Sequence, residues 1–203
     1  MVLAKKLLSL LLAVVGLALT AVGIWFTAHL GTSGIATFRV SPSGSGPVVL
    51  EPSLLNRLDE NVAISVTPAA GSKVWLAVGA PSDVTSAIAE TPRTRLTGVA
   101  VRDWALLATR SGSGTTADLT RAEIWREQLT SVGRVDLTVD QRSAPQTVVV
   151  SGQPGQVSTV QVSWQRGTWF AQALVVALVG LMITAAGVVS LVALFRRRRE
   201  VTT

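Results

Sequence analysis

LLSLLLAVVGLALTAVGIWFTA, Leu7 to Ala28, is the stretch from which the rest of the chain is read. It contains no Asp, Glu, Lys or Arg, and the uncharged run continues to Phe38. A bilayer core about 30 Å thick is crossed by roughly 20 apolar residues of helix, so this segment is long enough to span one. A second segment, Gly167 to Phe195, is equally free of charge and ends against Arg196-Arg197-Arg198-Arg199. Two such segments at the ends of a 203-residue chain predict a two-pass membrane protein with one domain between the passes. The expected division is an N-tail over 1–6, transmembrane helices over 7–30 and 167–195, an outer domain over 31–166, and a basic C-tail over 196–203.

Orientation follows from the basic residues. Lys5 and Lys6 precede the first segment and four arginines follow the second, whereas only Arg39 and Arg166 lie close on the other side. Lys and Arg near span ends stay in the cytoplasm. Both termini are therefore expected in the cytoplasm, with the middle domain outside the plasma membrane. Trp25-Phe26 and Trp169-Phe170 close the two segments on that outer side, where amphipathic rings prefer the interface. A cleaved signal peptide is the competing reading for the first segment. Cleavage after Ala28 would put Phe26 three residues before the cut, where a small residue is needed, and the apolar run is too long for a signal core.

The net charge of +6 and a sequence pI near 11.2 suggest a nucleic-acid binder until the charge is divided by compartment. Lys5, Lys6, the arginine run and Glu200 sum to +5, leaving twelve basic residues against eleven acidic ones outside. The excess is topogenic, and no nucleic-acid partner is expected. For Arg196–Arg199 the same reasoning favours a stop-transfer anchor over specific lipid recognition, although basic segments do attract anionic lipid.

With no cysteine anywhere, disulfides, thiolate metal sites and cysteine nucleophiles are excluded. The outer domain must be held by its apolar core. Its short runs are rich in apolar and β-branched residues, which in several of them alternate with polar ones, the mark of half-buried strands. They are Ala36–Val40, Val62–Thr67, Val74–Val78, Leu96–Val101, Trp104–Thr109, Val135–Val139, Thr147–Val150 and Val157–Trp164. Turn formers separate them at Ser41–Gly44, Ser111–Gly114 and Ser151–Gly155. Strands of this number and length predict a mainly-β domain resembling a β-sandwich or an open barrel. Ser82-Asp83 could cap a short helix over Val84–Glu90, which Pro92 would stop. Thr120–Glu123 fits a capping box ahead of Trp125, Leu129 and Val132, with a strand through Ile124 and Trp125 as the alternative.

Gly16 and Gly23 are seven residues apart, as are Gly180 and Gly187, and Ala173 and Ala177 add a small pair. That spacing puts each pair on one helix face, where small residues let backbones approach. The faces are expected to pack as a hairpin, or to receive a membrane-protein partner or a second copy. No ionisable residue other than His29, at the outer end, interrupts either segment, so no ion path is legible.

Residues able to carry chemistry are few. His29 is the single histidine, so no His-rich zinc set exists and a Ser-His-Asp triad would have to draw it from the membrane edge. Lys73 is the one lysine outside, and it sits beside a turn. Asp59 and Glu60 are neighbours, pointing apart in an extended chain. Asp136 and Asp140 share a strand face and could in principle serve a glycosidase pair or a calcium site, but solvated strand charges are the default. Neither a cofactor nor a catalytic residue is assigned. The patch Val101-Arg102-Asp103-Trp104-Ala105 breaks strand alternation. Arg102, Asp103 and Trp104 are the candidate interaction residues, because Trp and Arg are favoured in hot spots. The simpler reading is a turn with Trp104 entering the core.

Val48-Val49-Leu50-Glu51-Pro52, the Val101–Ala105 patch and the Val-rich second segment closed by arginines carry a resemblance. The chain resembles uncharacterised two-pass membrane proteins of high-GC actinobacteria. That resemblance implies a class and a compartment, and no activity. The expected function is a non-enzymatic cell-envelope protein displaying a β-domain for protein or envelope-polymer contacts. An accessory subunit of a larger membrane complex and an envelope hydrolase using a carboxylate pair are the alternatives.

Overall fold

The computed structural model describes residues 2–44, 46–115, 118–152 and 157–200, with the backbone alone for 2 and 196–200. The chain divides into a helical unit, Met1–Ile35 with Arg166–Thr203, and a β unit, Ala36–Gln165.

The helical unit is built from α1 (Val2–Leu30) and α4 (Thr168–Glu200). Within them, Leu3–Leu30 and Thr168–Phe195 are each 28 residues with a mean hydropathy of 2.6, long and apolar enough to cross a membrane. The helices run through the predicted tails: α1 starts before Lys5, and α4 continues through the arginine run to Glu200. Residues 201–203 lie outside the described residues.

In the β unit the strands are β1 (Ile35–Val40), β2 (Val48–Leu50), β3 (Val62–Pro68), β4 (Lys73–Gly79), β5 (Arg93–Ala100), β6 (Ala105–Ser111), β7 (Trp125–Val132), β8 (Val135–Val139), β9 (Thr147–Gly152) and β10 (Val157–Gln165). Two short helices, α2 (Pro52–Leu55) and α3 (Pro81–Ala87), interrupt them. All ten strands join one sheet in the order β7-β4-β9-β2-β5-β6-β1-β10-β3-β8. Of the two expected alternatives a sandwich has two separate sheets, so a single sheet fits the open barrel. The end strands β7 and β8 are chain neighbours joined by Gly133 and Arg134. A sheet whose two ends are tied by two residues has to curl back on itself, so the domain is a near-barrel.

Why some strands alternate and others do not is a matter of layers. In β8 the burial alternates strictly, with Val135, Leu137 and Val139 inward and Asp136 and Thr138 outward. By contrast β2, Val74–Gly79 of β4 and Thr147–Val150 of β9 are buried on both faces. Their runs Val-Val-Leu, Val-Trp-Leu-Ala-Val and Val-Val-Val are accordingly continuous, as expected of strands covered on both sides. The outer cover is α3. Its Val84, with Ile88 and Leu119, packs on Val49, Trp75, Ala77 and Val149, and Trp125 leans on the same cluster.

Two local expectations are decided by the structure, and one strand has no counterpart in the sequence reading. β7 takes the strand alternative through Trp125 rather than the helix that the capping box offered. It pairs antiparallel with β4, Leu129 opposite Leu76 and Thr130 opposite Trp75. Trp125 and Leu129 are an even number apart, so an unbroken strand would align them as readily as a helix; a register shift between them instead sets Trp125 opposite Gly79 and Leu129 opposite Leu76. The cap is made by Asp118, which accepts from the Thr120 amide and hydroxyl, and holds only a 3-10 turn over Leu119–Arg121. α3 begins at Pro81 with Ala80 as its N-cap rather than Ser82 or Asp83; proline suits that first position because its missing N–H would be unpaired there. Finally, β2 is too short for periodicity to reveal it. It lies parallel to β5 and antiparallel to β9. Of the Ser151–Gly155 turn, Gln153 to Gly155 lie outside the described residues.

Candidate functional site

The helical unit has a seam. On α1 the buried positions are Ser9, Gly16, Gly23 and Leu30, and on α4 they are Ala173, Ala177, Gly180 and Gly187. A seven-residue repeat of this kind keeps one face toward a partner helix. A Cβ built on Gly16 would lie 2.5 Å from the Thr184 amide nitrogen, and one on Gly180 2.5 Å from that of Thr20. Gly23 meets Ala177 at 2.5 Å and Gly187 meets Ala13 at 2.6 Å. The paired residue numbers always add to 200, the register of one antiparallel pair. Each of the four glycines therefore faces the chain's other long helix, the hairpin packing of the expected alternatives. Ser9, Thr20 and Thr184 belong to the seam as well, a set sequence reading missed although the seven-residue spacing was there to find it. Their hydroxyls donate to the carbonyls of Lys5, Gly16 and Gly180 four residues back, so no polar group on these side chains is left to the apolar surroundings.

Arg102 and Asp103 are exposed on the four-residue loop between β5 and β6, where Ala100 pairs with Ala105. The Asp103 amide donates to the Ala100 carbonyl at 3.2 Å. Trp104 is half-buried and stacks on Phe38, centroids 5.0 Å apart and planes 22° apart, and its carbonyl accepts from the Arg39 amide. Its φ of 49° is left-handed, a region where a bulky side chain is an outlier costing of order 1–3 kcal/mol. The stack and the strand pairing hold it there. We expect Trp104→Gly to be less destabilising than Trp104→Ala by about 1 kcal/mol, because glycine removes the backbone strain and alanine keeps it. Urea midpoints of the two variants compare them directly, and the reverse order refutes the strain argument.

Four of the carboxylates are paired with arginines. Asp136 is bound by Arg134 at 2.9 Å, Asp140 by Arg142 at 2.6 Å and Asp118 by Arg121 at 3.5 Å, while Glu51 pairs with Arg95. Asp136 and Asp140 are each bound to a different arginine, Arg134 and Arg142. Asp140 lies past the end of β8 and its carboxylate accepts from the Arg142 amide, capping a 3-10 turn over Gln141–Ser143. Asp59 and Glu60 sit in a bend between α2 and β3, not in an extended strand. Lys73 is exposed at the start of β4. His29 is exposed, with Nδ1 2.8 Å from the Trp25 carbonyl. Among the described residues no three His, Cys, Asp or Glu side chains gather as metal ligands.

Three of these carboxyls are held below the ordinary Asp range. For Asp118 the cause is the Thr120 hydroxyl and amide, and for Asp140 the Arg142 guanidinium and amide. Desolvation pushes Asp136 up, but the Arg134 and Ser65 side chains together outweigh it. A carboxyl depressed on folding stabilises the folded state fully above its unfolded pKa, about 3.9, and loses that contribution as pH falls through the folded value. Urea midpoints should thus be level between pH 7 and 5 and fall near pH 3. The fall should be smaller in Asp140→Asn, and an identical acid response in that variant removes Asp140 from the account.

No family model matches the chain, and no curated protein matches it. Among solved structures, hydroquinone 1,2-dioxygenase from Sphingomonas sp. TTNP3 with 4-hydroxybenzoate bound shows a TM-score of 0.28 at 7% identity, over 66% of this chain. The chain spans 59% of that structure's length. A likeness this low carries no argument about fold or chemistry.

Proposed function

We propose that this chain is a non-enzymatic envelope protein: a helical hairpin in the cytoplasmic membrane, both termini inside, displaying the β-domain outside for protein or envelope-polymer contacts. The observation that carries this reading is the distribution of side chains on α1 and α4. Small residues fill the seam, while Leu7, Leu17 and Ile24 on α1 and Val175, Met182 and Val189 on α4 are turned away from it, each more than half exposed. Soluble monomers rarely leave continuous apolar surfaces of this size to water, and in lipid they cost nothing. The flanking lysines and arginines supply the orientation. Against the hydrolase reading stand the arginine-paired carboxylates, since an acid that must give up a proton near neutral pH needs a raised pKa.

Topology tests it. Cysteine placed at Ser113, which is exposed, should react with a membrane-impermeant thiol reagent in intact cells, and cysteine at Thr203 should react only after lysis. The chain has no cysteine of its own, so the background is clean. Labelling of both positions in intact cells, or of Thr203 alone, refutes the proposed orientation. Cross-linking in native membranes, followed by identification of what is joined to the β-domain, tests the binding role.

A further inference from the structure

We propose that the arginine-rich end of the hairpin holds one anionic phospholipid, with acyl chain in a groove beside the seam and phosphate on Lys5. The inference rests on the membrane insertion proposed above. Lys5, Leu8, Ser9, Leu12, Ser190, Ala193 and Leu194 line the groove, a cavity of about 340 Å³. That is within the roughly 300–1,000 Å³ usual for ligand pockets.

The sequence explains why a groove opens here. At Gly187 the helices touch so closely that a Cβ would lie 2.6 Å from the Ala13 amide and 2.9 Å from the Ser9 carbonyl. Within the next two turns of α4, Ser190 and Ala193 are too small to fill the space beside Leu8 and Leu12. The walls are mostly apolar, and Lys5 is the charged residue at the end of the groove. Lys6 is committed elsewhere, its Nζ 4.1 Å from the centre of the Phe195 ring. Ser9 donates its hydroxyl to the Lys5 carbonyl at 2.9 Å. From Lys5 to Leu12 the helix rises about 10 Å. The site therefore has a cationic mouth and an apolar floor running into the bilayer, the shape of a headgroup and the upper part of its chain.

Charge selects the headgroup. The two tails carry Lys5, Lys6 and Arg196–Arg199 against Glu200. A zwitterionic lipid would bring its own ammonium into this cluster, whereas an anionic one brings only the complementary charge. Topogenesis alone requires the charge but not the groove.

The test uses the full chain, purified in a mild non-ionic detergent, mixed with phosphatidylglycerol or phosphatidylcholine and weighed by native mass spectrometry. One phosphatidylglycerol per chain should survive activation that strips phosphatidylcholine. Lys5→Gln should lower that retention about fivefold, the ratio equivalent to about 1 kcal/mol per basic residue near an anionic surface. Ser190→Leu leaves every charge in place and should lower it at least as much by filling the groove. Ala193→Leu is the second filling variant, should Ser190→Leu insert poorly. Equal retention of the two lipids overturns the site. So does parental retention in the filling variants alongside loss in Lys5→Gln, which is diffuse polybasic attraction. Carbonate extraction of native membranes separates the two readings. A chain released by carbonate overturns the insertion and the lipid site together, and a chain that stays but shows no preference overturns the lipid site alone.

Discussion

Replacing Gly16 and Gly180 together by alanine is expected to force the two long helices apart while leaving both inserted. Each added methyl would fall 2.5 Å from a backbone nitrogen of the facing helix, and each would also press on the other glycine's carbonyl, at 2.7 and 2.8 Å. Backbone cannot yield as a flexible side chain does, so relief requires the helices to separate. Overpacking of this kind costs about 1–3 kcal/mol per site and sometimes more. In lipid, no hydrophobic force between the helices is available to offset it, because the tails are as apolar as leucine. Thr27→Cys and Ala173→Cys extend the same register and should form a disulfide in the parent. That cross-link should fall sharply in the alanine pair. Leu17→Ala with Val179→Ala, at residues 62% and 45% exposed, should leave it unchanged. Undiminished cross-linking in Gly16→Ala/Gly180→Ala would mean that the glycines are not required for the approach.

The β-domain should be most sensitive at Trp164. This side chain is only 2% exposed, lies opposite Val62 in the β10–β3 ladder, and meets Phe38 edge-on at 5.8 Å. Truncating a buried tryptophan to alanine costs about 3–5 kcal/mol, a large part of the 5–15 kcal/mol that usually holds a domain folded. Trp164→Phe should cost far less than this. The indole Nε1 of Trp164 is buried without a protein hydrogen-bond partner, and such a group carries a penalty of about 1–3 kcal/mol. Phenylalanine removes that penalty while keeping most of the ring. Urea midpoints read by the sheet's far-ultraviolet circular dichroism rank the two variants, and equal losses would show that the indole nitrogen is satisfied.

Much of the β-domain was legible because strand alternation is a local signal. Val135, Leu137 and Val139 announce β8 without reference to any other strand. β7 was not legible as surely, since Trp125 and Leu129 satisfy helix and strand periodicity alike, and only the ladder to β4 decides between them. Nor could periodicity find β2, whose three residues are buried on both faces and alternate with nothing. Of the candidate site residues, Arg102, Asp103 and Trp104 fall together on one hairpin loop, but the left-handed backbone of Trp104 has no sequence signature. Asp136 and Asp140 looked like one strand face. The turn that Asp140 caps takes it out of that geometry.

By itself the sequence determined the two long apolar helices, their basic flanks, and a mainly-β domain between them. These depend on composition and on spacing within a few turns or strands, which a window of residues contains in full. It also placed Gly16, Gly23, Gly180 and Gly187 in pairs seven residues apart. Only the tertiary structure decided that the two small-residue faces meet each other, in a register where 16 opposes 184 and 23 opposes 177. It likewise decided that ten strands form one curled sheet, with β2 parallel to β5 and β1 parallel to β6. Pairing of this kind is settled by partners far away in the chain. A strand's own residues fix which face is buried, while its neighbours are chosen by the closure of the whole core.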